Sequence, residues 1–487
     1  MFILACVIPM SDIDFVRAEP SRYRLDMVKP KLPFGLCREP KLSASTAAPS
    51  EVAARPHGLR LRTWSFLAGL VFTCGLAADY CRAEAQPTPA EAVAVSRYGI
   101  DQLIALAIRN HPEIAAKRAE RAAAQSEIAA ARMQYWPTPS IQALQDKGGT
   151  TTVLTVQQPL WAGGGLDANL AAARSRESAA GWSVAEAQND LALRVTAAWS
   201  AWKQARGRAD ALREGVALLD VYTESVNRRI QGGVSAEVDR ELVESRRAQF
   251  GGDLAQARAN ERAALLRLAQ LTGQVLRAED LVSAPDEVDD LPALDVLIEQ
   301  AQERSPTLKR IEAEIEAAGH ETDRKRAARW PTLNLRAQHQ RGEAQLGVNV
   351  NDSRLLLALD YAPGAGLSAG ANIEAAEARW QGLRASLDAA RRALIDQVTT
   401  EYEEYRSSLN SKRDAERAIK DSAEVLASYD RLFVAGKRGW LDVINAAREL
   451  IQARMPLADI EAARIASRTR LHLYAGDLPW QQAGDTQ

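Results

Sequence analysis

The sequence predicts a mainly α-helical fold with a small β part, in which a helix–β-hairpin–helix unit occurs twice. Three observations support this fold class. The chain is rich in alanine, 25% charged and only 6% aromatic, which is typical of long helices. Prolines, tryptophans and glycines recur at fixed offsets in its two halves. Between them lie short stretches in which apolar and polar residues alternate, as in strands.

The N-terminal region resembles a targeting segment. Three arginines, at 55, 60 and 62, precede an apolar run, and Ala83-Glu84-Ala85 follows with small residues suited to cleavage, so residues 55–85 are predicted to be a secretory signal peptide. The run has about 15 residues, fewer than the roughly 20 of a membrane-spanning helix, which makes a retained anchor the weaker alternative. Residues 1–54 stay unassigned, with a start-site artefact as one explanation, and 86–98 are predicted to be a linker.

Nothing in the mature chain indicates catalysis, a metal or another cofactor. All four cysteines precede the predicted cleavage point, so disulfides and thiol chemistry are not expected after it. Lipidation at Cys74 is disfavoured because Thr73 stands where a small residue is wanted. The five histidines are scattered without metal-ligand spacing. A net charge of −2 gives no support for a nucleic-acid partner.

An internal repeat sets the domain organisation. Pro112 and Pro306 lie 194 residues apart, as do Trp136 and Trp330. The offset becomes 203 for the later pairs, which are Gly233 and Gly436, Asp239 and Asp442, and Gly273 and Gly476. The change indicates a nine-residue insertion between Pro331 and the next long helix. The predicted domains are repeat 1 (99–290), repeat 2 (291–476) and a tail (477–487).

Each repeat is predicted to contain one very long helix matched by two shorter ones. The predicted helices are 112–135, 165–231 and 236–271 in repeat 1, and 306–329, 368–434 and 440–474 in repeat 2. At about 1.5 Å per residue the middle helix of repeat 1 is about 100 Å long, and its two shorter helices together span about 90 Å. The apolar face of the long helix 165–231 is predicted to consist mostly of small residues: Ala171, Ala172, Ala179, Ala180, Ala197, Ala198 and Ala201. A solvated coiled-coil rod explains the helices equally well.

Four short strands favour a membrane protein over that rod. They are predicted at about 138–146, 151–160, 332–340 and 353–361, the length of tilted membrane-crossing strands. Aromatic residues stand at their ends, namely Trp136, Trp161, Trp330 and Tyr361. Arg336 is expected to face a lumen, since arginine is costly against lipid. Four strands cannot close a barrel, so membrane strands would require an oligomer; the alternative is a soluble hairpin that caps the rod.

The chain resembles the TolC family of outer-membrane efflux and secretion channels over residues 98–476. The resemblance rests on the duplication, the two Trp-Pro-Thr segments, the turn Gly436-x-Arg438-x-x-x-Asp442-Val443, and residues 158–164, which match the family's Q-P-L-aromatic-x-G-G pattern. Residues 361–364 hold a degenerate version. The resemblance implies a homotrimer in which twelve strands form one barrel in the outer membrane and twelve helix-lengths form an α-barrel through the periplasm.

The resemblance also implies site residues. Asp442 matches an aspartate that forms a ring across the pore, with Asn445 one turn further on. Asp239 and Arg438 match residues that hold neighbouring helices closed, but Phe433 and Val238 replace their usual tyrosine and threonine partners, so a weaker or differently wired latch is expected. The alternative for Asp239 and Asp442 is helix N-terminal charge. The predicted periplasmic turns are Gly232, Gly233 and Gly436, and the predicted strand-to-helix turn is Pro159, Trp161, Gly163 and Gly164.

Two functions remain open on the sequence. The first is a passive outer-membrane exit duct for type I protein secretion or multidrug efflux. Its implied partners are a periplasmic adaptor (membrane fusion) protein, an inner-membrane ABC or resistance-nodulation-division (RND) transporter, and outer-membrane lipid. The second is a soluble periplasmic coiled-coil scaffold. The Trp-Ala-Gly-Gly turn at 161–164 slightly favours the secretion members of the family.

Overall fold

The computed structural model describes residues 98–146, 149–282, 291–344, 348–362 and 364–476. Contacts divide the chain into two units, Met1–Gln86 and Pro87–Gln487, and every described residue belongs to the second. The predicted signal peptide, the unassigned segment before it, Cys74 and the predicted tail lie outside the described residues. So do all but the last residue of the predicted linker and Pro363 of the degenerate motif.

The described elements follow one order twice. The first copy contains α1 (Ile100–Asn110), α2 (Pro112–Met133), β1 (Thr138–Asp146), β2 (Gly149–Trp161), α3 (Gly165–Gln231) and α4 (Glu237–Thr272). The second contains α5 (Leu294–Arg304), α6 (Pro306–Ala327), β3 (Thr332–Ala344), β4 (Val348–Asp360), α7 (Ala369–Val434) and α8 (Trp440–Tyr474). The predicted fold of one chain, mainly helical with a duplicated helix–hairpin–helix unit, is confirmed.

Helices α2 and α6 begin in the same way, with a proline in the first turn and a side-chain cap before it. Each begins with a proline at a first-turn position that has no hydrogen-bonding partner for an N–H group anyway. The Nδ1 atom of His111 accepts a hydrogen bond from the backbone N–H of Glu113 at 3.3 Å. Ser305 Oγ accepts one from the N–H of Leu308 at 3.4 Å. These caps satisfy donors that the helix itself leaves free, so both helices begin at equivalent positions.

The long helix α3 packs closely against α8. It has 67 residues, which corresponds to about 100 Å at about 1.5 Å per residue. A Cβ atom at Gly207 would lie 2.7 Å from Ala458 Cβ, and one at Gly215 would lie 2.8 Å from Ile451. Only glycine permits this approach. Within the described ranges, no helix is both long and apolar enough to cross a membrane.

The buried face of α3 agrees only in part with the predicted alanine face. Ala172, Ala179 and Ala198 are buried as predicted and Ala171 and Ala180 are half-buried, but Ala197 and Ala201 are exposed. The side chains of Trp199 and Trp202 are 0% and 2% exposed and occupy the core between α1, α3 and α4. Neighbouring residues on a helix are about 100° apart, so a small error in phase exchanges buried and exposed positions.

The four strands form one antiparallel sheet in the order β1–β2–β3–β4. Its register places Leu335 beside Leu357, and Ala337 beside Val156 and Leu355, on one face. That apolar face is exposed: Leu355 is 71% and Leu357 66% accessible. The other face carries polar residues at the alternate positions, which include Thr155, Gln157, Asn334, Arg336, Gln338 and Asp360.

The second hairpin is longer than the first. Strand β1 has the predicted bounds, but β2, β3 and β4 have 13 residues each: β2 is longer than predicted at both ends, β3 runs past its predicted end, and β4 begins five residues before its predicted start. Residues 332–360 make the second hairpin five residues longer than residues 138–161 of the first. The rest of the insertion lies between Asp360 and Ala369. The ladders continue to the pair Asp146–Gly149 in the first hairpin and to the pair Ala344–Val348 in the second.

Candidate functional site

The two helix–helix turns are built alike and lie far along the chain from the strands. After α3, Gly233 has a φ of +70°, and after α7, Gly436 has a φ of +69°. In each turn an N–H bonds back over five residues, from Val234 to Arg229 at 2.9 Å and from Lys437 to Leu432 at 2.8 Å. No atom lies within 4 Å of a Cβ built on either glycine. The left-handed backbone, rather than lack of space, therefore requires glycine in both turns.

Asp442 lies in the first turn of α8 and is held there by its own turn. Its Oδ2 accepts a hydrogen bond from the N–H of Gly439 at 3.4 Å. The guanidinium of Arg438 lies 3.5 Å from the same oxygen. A carboxylate at a helix N-terminus is stabilised by the free N–H groups and the helix dipole. The side chain thus has a structural role within one chain, and it is half-buried rather than enclosed.

An aromatic cluster fills the space between the two turns. The rings of Phe433 and Trp440 have centroids 4.9 Å apart, and Tyr222 meets Trp440 edge-on at 5.5 Å. The guanidinium carbon of Arg229 lies 4.3 Å from the centroid of the Phe433 ring. This cation–π contact joins the end of α3 to the end of α7. Phe433 therefore contacts a cation through its ring instead of through a hydroxyl.

A hydrogen bond next to this cluster links the same two helices. The hydroxyl of Tyr222 in α3 donates to the carboxylate of Asp430 in α7, with O···O distances of 2.9 and 3.1 Å. Burial, followed by the hydrogen bond to Asp430, raises the pKa of Tyr222 above its usual value. The phenol is thus neutral at every physiological pH and always donates.

The structure brings only some of the predicted gate residues together. Arg438 lies against Asp442 and over the ring of Tyr429, with a guanidinium-to-centroid distance of 4.7 Å. Asp239 lies in the first turn of α4, where its N–H bonds to the carbonyl of Ala236. Asn445 is half-buried one turn beyond Asp442. A role for these residues at a pore stays a prediction, because a pore would need several chains.

Four residues of the site were missed by the sequence analysis: Arg229, Tyr222, Asp430 and Trp440. Aromatic side chains are scarce in this chain, and three aromatics near the second turn could have indicated a packed cluster. Tyr222 and Asp430, however, are 208 residues apart. No local pattern links residues at that separation.

The strand-to-helix turn is shorter than predicted. Pro159 and Trp161 lie within β2, so the turn consists of Ala162, Gly163 and Gly164. The register of β2 against β3 shifts between Pro159 and Trp161, where proline has no N–H to give to the ladder. Gly163 has a φ of +57°, and a Cβ there would lie 2.9 Å from Trp330 Cβ. The turn therefore packs against Trp330, which follows the end of α6 in the second copy.

The described residues contain no group of three His, Cys, Asp or Glu side chains that could hold a metal ion. The family model of the outer membrane efflux proteins matches residues 103–278 and 297–477, which are the two copies of the repeat.

The chain belongs to the outer membrane efflux protein family. This membership confirms the resemblance predicted from the sequence. It also confirms a transport protein of the outer membrane, from a family of passive channels rather than enzymes.

Relatives and solved structures agree with that membership. The chain is 23% identical over 413 residues to the protease secretion protein PrtF of Dickeya chrysanthemi, covering 77% of this chain and 87% of that protein. It is 26% identical over 397 residues to the protein CyaE of Bordetella pertussis, covering 76% and 82%. The outer membrane protein VceC of Vibrio cholerae has the same fold, with a TM-score of 0.67 at 15% identity over 77% of this chain and 96% of that one.

Proposed function

We propose that this efflux-family protein is a homotrimeric exit duct, coupled through a periplasmic adaptor to an inner-membrane pump. The observation that best supports this proposal is the open four-stranded sheet. Among the residues that the structure describes, the edge strands β1 and β4 each pair with one neighbour, so a free edge remains on both sides. An open edge cannot lie in lipid, because its N–H and C=O groups would be unsatisfied there. Closure of the sheet with other copies of the same chain removes both edges.

The two faces of the sheet fit a barrel wall. Leucines on one face are largely exposed in the single chain and would contact lipid. On the other face Arg336 donates to Gln157 at 3.2 Å and to Asp360 at 3.1 Å, and Asn334 also donates to Asp360 at 2.8 Å. A polar, mutually hydrogen-bonded face suits a water-filled lumen. This arrangement supports the expected inward orientation of Arg336.

The helices of three chains would enclose a duct wide enough for an unfolded polypeptide or a small molecule. Three chains contribute twelve helix-lengths, and twelve helices about 10 Å apart enclose a lumen roughly 28 Å across. An unfolded polypeptide or a small molecule would pass, whereas a large folded domain would not. The relative PrtF is named a protease secretion protein, which favours polypeptide export with an ABC transporter over drug efflux with an RND transporter.

The experiment compares location, assembly and conductance of the full-length protein. A heat-modifiable trimer in the outer-membrane fraction that conducts ions in a planar bilayer is expected. A monomer in the soluble periplasmic fraction would instead identify the alternative, a coiled-coil scaffold. Deletion of a neighbouring ABC transporter gene should then stop export of its polypeptide; loss of drug resistance alone would point to efflux.

A further inference from the structure

The exposed face of the sheet changes from apolar to basic towards its hairpin end. On β3 the exposed positions are Leu335, Ala337, His339 and Arg341, while the residues between them are more buried. His339 pairs with Ser353 on β4, and Arg341 with Asn351. Strand β3 is flanked by β2 and β4 of its own chain, so no neighbouring protomer takes a place beside it. These side chains thus face outward in any barrel whose outer wall is the leucine face.

The position of the change matches the edge of a membrane. Trp330, at the helical end of β3, marks one interface, and His339 lies nine residues further on. At about 3.4 Å per residue and a tilt of about 40°, that separation is about 23 Å along the membrane normal. The apolar band of such barrels is about 25 Å tall. His339 therefore lies at the far edge of the band, and Arg341 about 5 Å beyond it, in the headgroup layer.

The outward arginine differs from the inward ones in its partners. On the polar face Arg336 pairs with Asp360 at 3.1 Å and Arg354 with Asp352 at 2.5 Å. Arg341 forms no ion pair with any side chain that the structure describes, and it is exposed. Beside it, His339 Nδ1 lies 3.0 Å from Ser353 Oγ, so ring and hydroxyl are held in a fixed relation. Among the side chains that the structure describes, the outward face thus presents at headgroup height a cation that no carboxylate pairs with.

We propose that Arg341, His339 and Ser353 form a docking surface for the phosphate group of an anionic lipid in the leaflet at the hairpin end. The inference rests on the proposed barrel function. Guanidinium binds phosphate oxygens through two parallel hydrogen bonds, and the hydroxyl can add a third donor. The leucine rows below would contact the acyl chains of the same molecule. A lipid, rather than free phosphate, is the occupant because the apolar and basic parts share one face.

Lipid binding by the full-length trimer tests this proposal. The trimer in a neutral detergent is titrated with diphosphorylated lipid A and, separately, with the same lipid after dephosphorylation. Removal of one surface cation by Arg341→Gln should weaken binding of the phosphorylated lipid about fivefold, and His339→Gln should weaken it further. Arg354→Gln is the matched control, because it removes a paired arginine from the opposite face of the adjacent strand and should leave affinity unchanged.

The outcomes separate this proposal from the function on which it rests. Conducting trimers that bind both lipid forms alike, or that respond equally to Arg341→Gln and Arg354→Gln, would overturn the docking surface and leave the channel intact. Saturation by inorganic phosphate alone with the same dependence on Arg341 would also overturn it. Failure of the unaltered protein to form trimers or conduct would overturn the channel and the docking surface together.

Discussion

The hydroxyl of Tyr222 donates a hydrogen bond to the carboxylate of Asp430, and so ties α3 to α7 next to the two helical turns. Tyr222 is 8% exposed, and its ring also packs edge-on against Trp440. Because α3 and α7 belong to different copies of the repeat, this bond joins the copies at the point where a gate is predicted. Loss of this bond should therefore loosen the connection between α3 and α7 near the two helix–helix turns, the region called the tip below.

Tyr222→Phe removes only the hydroxyl. The substitution leaves Asp430 without its donor and should destabilise the tip by about 1.5–3 kcal/mol, the usual value for a hydrogen bond to a charged group. We expect a lower unfolding temperature and a larger or noisier single-channel conductance. Tyr429→Phe is the control, since Tyr429 contacts Arg438 through its ring. Equal behaviour of the two variants would contradict a special role for the Tyr222 hydroxyl.

Asp442→Ala tests the predicted acidic ring. Loss of three carboxylates at a narrow mouth should lower cation selectivity and change conductance. Alanine also removes the N-terminal hydrogen bond to Gly439, at a cost of about 1 kcal/mol per chain. Asp442→Asn separates the two effects, because the amide oxygen can still accept that bond while the charge is gone. If both variants keep the selectivity of the unaltered channel, Asp442 acts only as a helix cap.

Arg229→Gln tests the contact that replaces the expected tyrosine latch. The guanidinium over Phe433 should contribute about 0.5–1 kcal/mol to closure of the turns. We expect a modest rise in open probability in planar bilayers. The adjacent Arg228, which is exposed and pairs with Glu224, provides the control substitution Arg228→Gln. A double variant with Phe433→Leu should add nothing to Arg229→Gln; full additivity would show that the ring and the cation act independently.

Two glycine-to-alanine substitutions should have opposite effects on stability. At Gly215 the new methyl group would meet Ile451 at 2.8 Å, and such overpacking costs about 1–3 kcal/mol. At Gly252, within α4, no atom lies within 4 Å of the added Cβ, so alanine should stabilise the helix by about 0.5–1 kcal/mol. Thermal unfolding of the purified protein measures both. A fall for Gly252→Ala would mean that another chain packs there in the assembly.

The sequence predicted the bounds of the long helices well, because residues close to each bound determine where a helix begins or ends. Prolines at helix starts and glycines at left-handed turns act within a few residues, and these signals occur in both copies. The buried face of α3 was predicted less well. Ala197 and Ala198 are neighbours with opposite burial, and only packing against α1, α4 and α8 decides between them.

Contacts at the candidate site could be predicted only in part. The positions of Asp442 and Arg438 follow from a helix start, a local feature that the sequence indicates. The contact between Arg229 and Phe433 needs two turns from different repeats to meet in space. The presence of Phe433 in place of the family's tyrosine indicated an altered latch. Only the structure, however, shows that the guanidinium of Arg229 faces the Phe433 ring.

The unequal strands bear on how the barrel would be assembled. Strand β1 has nine residues and β4 has 13, so the seam between protomers, where β1 of one chain meets β4 of the next, can form at most nine residue pairs. Within a chain β3 and β4 pair along 13. The three seams between protomers are therefore no longer than the nine-residue pairing of β1 with β2, the shortest within a chain, and they lack the covalent connection that joins those two strands. A barrel of this kind should dissociate along those lines first, and insertion into the membrane should finish there last.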